Sequence, residues 1–203
     1  VDHLKHNNED YRTLKLYGQE KNLTSSSIAR MNMFLHGIED FKILRGDTLR
    51  DPAFFEADGL QTFDCVIANP PFSLKDWGAE TWANDPYGRG VSGIPPTGNG
   101  DLAWVQHMVK SMNSTGRMTV VLPHGAIFRP NAEARIRRYL IEHDLLEAVI
   151  GLGPNIFYGS PLATCIVVIK QNKEVNKKGK VLFVDASELF RVGRAQNHLE
   201  PLH

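Results

Sequence analysis

Cysteine is scarce: only Cys65 and Cys165 occur in 203 residues, each inside an apolar run. That excludes a disulfide framework and a thiolate metal site, and predicts two buried, reduced thiols, as expected of a cytoplasmic protein. The eight histidines are scattered singly and never in His-Glu-x-x-His spacing, so no metal site is expected. No apolar run reaches the length of a membrane span, and the expectation is a chain with no membrane segment and no secretory leader. Basic excess is missing as well. Lys plus Arg and Asp plus Glu number 23 each, which cancels the formal charge. A chain that gripped many nucleic-acid phosphates unaided would carry surplus cations.

What is present reads as an ordinary folded domain, 42% hydrophobic and 23% charged, long enough for one core. Short apolar runs alternate with helix-period segments, the pattern of a parallel sheet flanked by helices. Strands are expected at 14–17, 41–44, 65–68, 118–122, 146–151 and 165–170, with a late one at 181–185. Ile28, Met31 and Leu35 fall at helical spacing behind Ser/Thr capping residues and before Gly37, a helix stop. Leu102, Val105, Val109 and Met112 predict a second helix ending at Gly116, and Ile136, Leu140 and His143 a third after Asn131. Arg135, Arg137 and Arg138 on that helix read as solvated surface or as a phosphate contact, and Lys173–Lys180 as a charged turn.

The most informative stretch is Asn69-Pro70-Pro71-Phe72, which follows the apolar run 63–68. Neither proline has an N–H to donate to a ladder, and each confines the residue before it to extended geometry. The chain therefore stiffens at the carboxyl end of a strand expected to be buried, where open α/β sheets place their ligands. An amide and two carbonyls are presented beside an aromatic ring, a rigid acceptor cluster for an amino group on a flat, stackable substrate. The competing reading is that Pro-Pro only ends a strand and Phe72 fills the core.

Two acidic residues precede this site, each near the end of a candidate strand: Glu20 in Tyr17-Gly18-Gln19-Glu20 and Asp47 in Gly46-Asp47-Thr48-Leu49. A carboxylate after the second strand of a Rossmann-like sheet can accept from ribose hydroxyls, and one after the next strand from an exocyclic amine of adenine. Taken singly, either is a solvated turn or a helix cap. The connection 73–100 is rich in Gly, Pro and Trp without periodicity, and reads as a mobile flap beside the site or as a surface excursion. Within it, Gly88-Arg-Gly90-Val-Ser-Gly93 matches G-x-G-x-x-G literally. Its flanks, Asp85-Pro86-Tyr87 and Ile94-Pro95-Pro96, are not a strand and a helix start, so no nicotinamide site is expected.

Tyr17-Gly-Gln-Glu20, Met31-Asn-Met-Phe-Leu-His-Gly37, Gly46-Asp-Thr-Leu49 and Ala68-Asn-Pro-Pro-Phe72 together resemble the modification (M) subunit of type I restriction–modification systems. The resemblance continues through Gly116-Arg-Met-Thr-Val-Val-Leu-Pro-His-Gly125, Phe128-Arg129 and Leu152-Gly-Pro-Asn-Ile-Phe157-Tyr158 into the strand 163–170. It implies a class I, Rossmann-like, S-adenosylmethionine-dependent methyltransferase fold, a mostly parallel sheet with flanking helices, over residues 1–203. It also implies methyl transfer to the N6 amine of adenine in DNA. By position, Glu20 would hold the cofactor ribose and Asp47 its adenine amine. Asn69, Pro70, Pro71 and Phe72 would be the catalytic residues, with Asn69 and the Pro70 carbonyl accepting from the target amine, and Phe72 and Phe157 would stack on the flipped base. Asn69 also counts among the cofactor-facing residues. The resemblance implies partners too: DNA, a specificity (S) subunit and a restriction (R) subunit, which would supply the grip that a net-neutral chain lacks.

One feature of the family is missing. A Gly-rich loop wraps the methionine part of the cofactor after the first strand, whereas residues 1–13 are polar and contain no glycine. The expectation is a fragment truncated at the N-terminus that is inactive alone and binds the cofactor poorly. Phe157 reads alternatively as core packing. Two alternatives stay open for the whole chain: methylation of protein glutamine or RNA guanine, and a non-catalytic scaffold.

Overall fold

The computed structural model describes residues 4, 6, 7 and 10–200. The chain divides into two compact units, one ending at Phe55 and the other beginning at Glu56.

The first unit is a βαβ arrangement. Strand β1 (Leu16–Glu20) pairs in parallel with β2 (Phe41–Arg45), in the register Leu16↔Phe41 to Glu20↔Arg45. β1 starts later than expected because Tyr11–Thr13 forms a 3-10 turn that Leu14 caps. Helix α1 (Leu23–Leu35) connects the strands. Its cap is Asn22, not Ser or Thr: the Asn22 side chain accepts from the Ser25 N–H at 3.0 Å. It ends in a Schellman motif, with the Ile38 N–H on the Met33 carbonyl, the Gly37 N–H on the Phe34 carbonyl, and Gly37 at φ 68. Arg30 donates twice to the Ile43 carbonyl, at 3.2 and 3.1 Å, and so pins the helix to β2. The stripe Ile28, Met31, Leu35 is exposed within this structure.

Where the chain passes from the first unit to the second, β3 (Phe55–Glu56) forms a small pair with β4 (Gly59–Leu60), and the second unit then holds a five-stranded sheet. Its strands are β5 (Phe63–Ala68), β6 (Met112–Pro123), β7 (Leu146–Leu152), β8 (Thr164–Lys170) and β9 (Leu182–Ala186), in the spatial order β5-β6-β8-β7-β9. Only β8 is reversed; β5–β6 and β7–β9 pair in parallel. Helices α2 (Ala79–Trp82), α3 (Asp101–Lys110) and α4 (Ala132–Glu142) complete the unit.

The core lies where β6 and β8 meet α3 and α4. Met118, Val120 and Leu122 pack with Cys165, Val167 and Ile169 against Leu102, Val105, Ile136 and Leu140. Burying each such aliphatic side chain contributes about 1.5–3 kcal/mol. β8 is the middle strand of this sheet, and its run of β-branched residues suits a strand paired on both edges.

Several expectations are corrected here. Met112 and Gly116 belong to β6, not to the preceding helix, which stops at Lys110 because the chain enters the ladder beside Phe63. β5 lies at the edge of its sheet, and its face carrying Cys65 and Ile67 is uncovered in this structure, so the run before Asn69 is not fully buried: Ile67 is 76% exposed, whereas Val66 and Ala68 pack against the core. For the same reason Cys65 is exposed, while Cys165 on β8 is buried and its thiol is pushed up to about 11 by that burial. Arg137 is not plain solvated surface: it donates to the Ala126 carbonyl at 3.1 Å and to the Arg129 carbonyl at 2.5 Å, while Arg135 and Arg138 are exposed.

Candidate functional site

In the first unit, parallel pairing brings both acidic strand ends together. The Gly46 N–H bonds the Glu20 carbonyl at 3.1 Å, so Asp47 follows directly after the residues facing Glu20. Gln19 holds the following turn by accepting from the Ala53 N–H at 2.9 Å and donating to the Asp51 carbonyl at 2.8 Å. A Cβ at Gly46 would sit 2.7 Å from the Gln19 amide nitrogen, so a side chain there would push Gln19 out of its bonds to the turn.

Among the described residues Glu20 accepts one side-chain hydrogen bond, from the Asn22 N–H at 2.6 Å, on a single carboxylate oxygen. Asp47 accepts from Leu49 and Arg50 N–H groups, each at 3.2 Å, and from Lys21 Nζ at 2.8 Å. Partial burial alone would raise the Asp47 pKa; Lys21 and the two N–H groups outweigh it and hold the carboxyl below its ordinary value. An ionised carboxylate offers about four acceptor positions, so both groups keep capacity for a ligand donor.

In the second unit, β5 delivers the chain into Asn69–Phe72. Pro70 is buried, Phe72 half-buried, and Asn69 and Pro71 exposed. The proline carrying no N–H is thus the anchor, and the amide is the presented group. Among the described residues no hydrogen bond reaches the Asn69 side chain or the Pro70 carbonyl. Phe72 meets Phe157 edge to face, ring centroids 6.4 Å apart at 87°. Two positions 85 apart in sequence, chosen as the stacking pair, are therefore neighbours, on the loop after β5 and the loop after β7.

The loop bearing Phe157 is held by the chain's last described segment. Asn197 donates from its backbone to the Asn155 carbonyl at 2.7 Å and from its side chain to the Pro154 carbonyl at 2.9 Å. A Cβ at Gly153 would lie 2.5 Å from the Phe190 ring, so the two segments are in close contact.

The connection 73–100 is packed rather than a loose flap. It contains α2 and a 3-10 turn at Arg89–Ser92, and Trp77 and Trp82 are buried edge to face at 4.9 Å. Arg89 and Asp85 form a buried ion pair at 2.7 Å, with side chains 2% and 3% exposed, and Arg89 also lies over the Trp82 ring. Gly88–Gly93 lies in that 3-10 turn, not between a strand and a helix.

Sequence reading missed an ionic cluster beside the catalytic candidate. Asp101 opens α3, is 1% exposed, and accepts from the Ser73 N–H at 2.7 Å and from Arg129 Nη2 at 2.5 Å. Arg129 also donates to both Glu133 oxygens, at 2.7 and 2.9 Å; those bonds, with Asp101, raise its pKa against the opposing effect of burial. The one signal in the sequence was Arg129-x-x-x-Glu133 at one-turn spacing on a helix start. Among the described residues no group of His, Cys, Asp and Glu is arranged to hold a metal, and no helix is long and apolar enough to cross a membrane.

An αβ layering with a single reversed strand, next to the last in sequence, and a proline-stiffened loop after the parallel strand β5 defines a class I S-adenosylmethionine-dependent methyltransferase fold. A putative enzyme of that class from Listeria monocytogenes superposes on 92% of this chain and 53% of its own, with a TM-score of 0.69 at 14% identity, which bears on fold alone. The chain belongs to the N-6 DNA Methylase family, whose sequence model matches residues 1–203. It is 35% identical over 178 residues to the methylase subunit of the type I restriction enzyme HindI from Haemophilus influenzae, covering 87% of this chain and 38% of that one. The methyltransferase subunit of a type I restriction–modification system from Streptococcus thermophilus matches 100% of this chain and 43% of its own, with a TM-score of 0.88 at 32% identity. The chain thus spans about two-fifths of the length of these relatives.

Proposed function

We propose that this chain carries the base-handling and part of the cofactor-handling machinery for methyl transfer from S-adenosylmethionine to the N6 amine of adenine in DNA, within a type I modification subunit. The observation that carries this reading is the exposed Asn69 side chain beside the Pro70 carbonyl, neither in a hydrogen bond among the described residues, next to the Phe72–Phe157 pair. An aromatic amine is a poor nucleophile because its lone pair is delocalised into the ring. Two acceptors aimed at its hydrogens favour a pyramidal nitrogen and return density to that lone pair. No strong base is needed, and the remaining work is alignment. The aromatic pair supplies a platform for a base taken out of its stack.

S-adenosylmethionine, when bound, supplies a methyl group on a sulfonium; the new bond is N6–CH3, the broken one S–CH3, and the amine proton leaves to solvent. The first unit fits this ligand: Glu20 offers an oxygen to ribose hydroxyls and Asp47 an acceptor to the adenine amine. The zero net charge agrees with a division of labour in which a specificity subunit reads DNA and a restriction subunit cleaves it.

The test is N6-methyladenine in DNA from cells carrying the gene in its natural setting with its companion genes. Asn69→Ala is expected to lower methylation by about 100-fold or more, the scale of losing one transition-state hydrogen bond. Unchanged methylation would remove Asn69 from the mechanism; methylated guanine or glutamine in its place would move the substrate to RNA or protein.

A further inference from the structure

The backbone leaves Phe72 through an unusual residue. Ser73 has φ 52, in the left-handed region that a non-glycine residue enters only when its surroundings hold it there. Its N–H donates to Asp101 Oδ1 at 2.7 Å, across 28 positions of sequence, and the Gly100 N–H donates to the Leu74 carbonyl at 2.9 Å. These two bonds form a rung that closes the neck of the 73–100 excursion directly behind Phe72.

Asp101 could have been an ordinary first-turn acid of α3, serving its own helix N–H groups. It is not so used. The helix cap is Gly100, with no side-chain capping bond. Asp101 Oδ1 faces Ser73, and Oδ2 faces Arg129, which is gripped in turn by Glu133 on α4. The Arg129 guanidinium lies against Gly125: a Cβ there would overlap its Nη1 atom and displace it. Asn99 also accepts from Arg129, at 3.2 Å. A buried carboxylate thus gives one oxygen to a loop amide and the other to a guanidinium that Glu133 holds from the first turn of α4.

We propose that Asp101 is a positioning residue for methyl transfer, and that the chain Glu133–Arg129–Asp101–Ser73 sets the angle at which Asn69 and Phe72 are presented. This rests on the function proposed above. Asp101 touches no reacting atom; it acts through the backbone at Ser73.

Two measurements test this. In the full 203-residue chain, Asp101→Ala is expected to speed hydrogen exchange of the Ser73 amide by about 10-fold or more, with β6 and β8 amides unchanged. In the subunit expressed from its natural gene setting, Asp101→Ala is expected to lower kcat by about 100-fold, the scale of a small misplacement, with KM for DNA nearly unchanged. Asp101→Asn, which keeps the acceptor for Ser73, is expected to recover most of the exchange protection and part of kcat. If Asp101→Ala does not fold, the comparison is made with Asp101→Asn and Arg129→Lys. Unchanged Ser73 protection in Asp101→Ala overturns the proposal, as does a loss carried in KM, or full activity in Asp101→Ala beside an inactive Asn69→Ala. Should Asn69→Ala itself methylate normally, the catalytic reading falls, whereas the exchange result still decides whether Asp101 holds the loop.

Discussion

His107 is expected to make the second unit acid-sensitive well above the carboxylate range. The residue is half-buried, and desolvation pushes its pKa from 6.5 down to about 3; the Arg89 charge acts in the same direction and Asp85 opposes it. Arg89 Nη1 lies 3.4 Å from Nδ1, and a guanidinium can only donate, so Nδ1 is the acceptor and the ring is neutral. The sign follows from proton counts. Between pH 6.5 and 3 the unfolded chain binds a proton at His107 that the folded chain refuses, so stability falls as pH falls. With an unfolded value of 6.5, the loss between pH 7 and pH 5 is about 2 kcal/mol, and it barely changes if the folded value is 4 rather than 3. In urea this shifts the midpoint by about 1 M.

All three tryptophans, Trp77, Trp82 and Trp104, lie in the second unit, so tryptophan fluorescence reports its unfolding. His107→Gln keeps a neutral acceptor for Arg89 and removes the titration. Its urea midpoint is expected to move much less than the parent's between pH 7 and pH 5. Equal shifts in both proteins would refute the assignment of His107 as a desolvated neutral imidazole.

Two further outcomes are expected. Arg89→Met alone leaves the Asp85 carboxylate buried without its partner and should cost about 3–5 kcal/mol in the same unfolding assay, whereas Arg89→Met with Asp85→Leu should recover much of that loss. Gly153→Ala places a methyl group 2.5 Å from the Phe190 ring and 2.7 Å from the Ser187 carbonyl. It should cost about 1–3 kcal/mol and raise hydrogen exchange at the Asn197 amide, which is held by the Asn155 carbonyl; retention of full protection there would show that the contact relaxes freely.

Local chemistry was enough to locate much of this protein. Pro70-Pro71 ends a strand wherever it falls, and Gly37 stops a helix, because a missing N–H and a missing Cβ act without tertiary help. The apolar runs marking β6 and β8 were legible because alternate residues, Met118, Val120 and Leu122 with Cys165, Val167 and Ile169, face the helix-packed core. The strand-end carboxylates Glu20 and Asp47, and the pair Phe72 and Phe157, followed from the family pattern carried by short motifs. Burial was another matter. The Cys65 strand and the Cys165 strand look alike as sequences, and only sheet order decides that one is an edge and the other lies between two partners. Met112 and Gly116 fit a helical period, but pairing beside Phe63 draws them into β6. The 73–100 segment has no periodicity because its core is built from scattered groups, Trp77, Trp82, Asp85 and Arg89, meeting around irregular backbone. Asp101 carries no local mark of its role. A buried carboxylate is stable only with partners, and those partners, Ser73 and Arg129, are each 28 residues away along the chain.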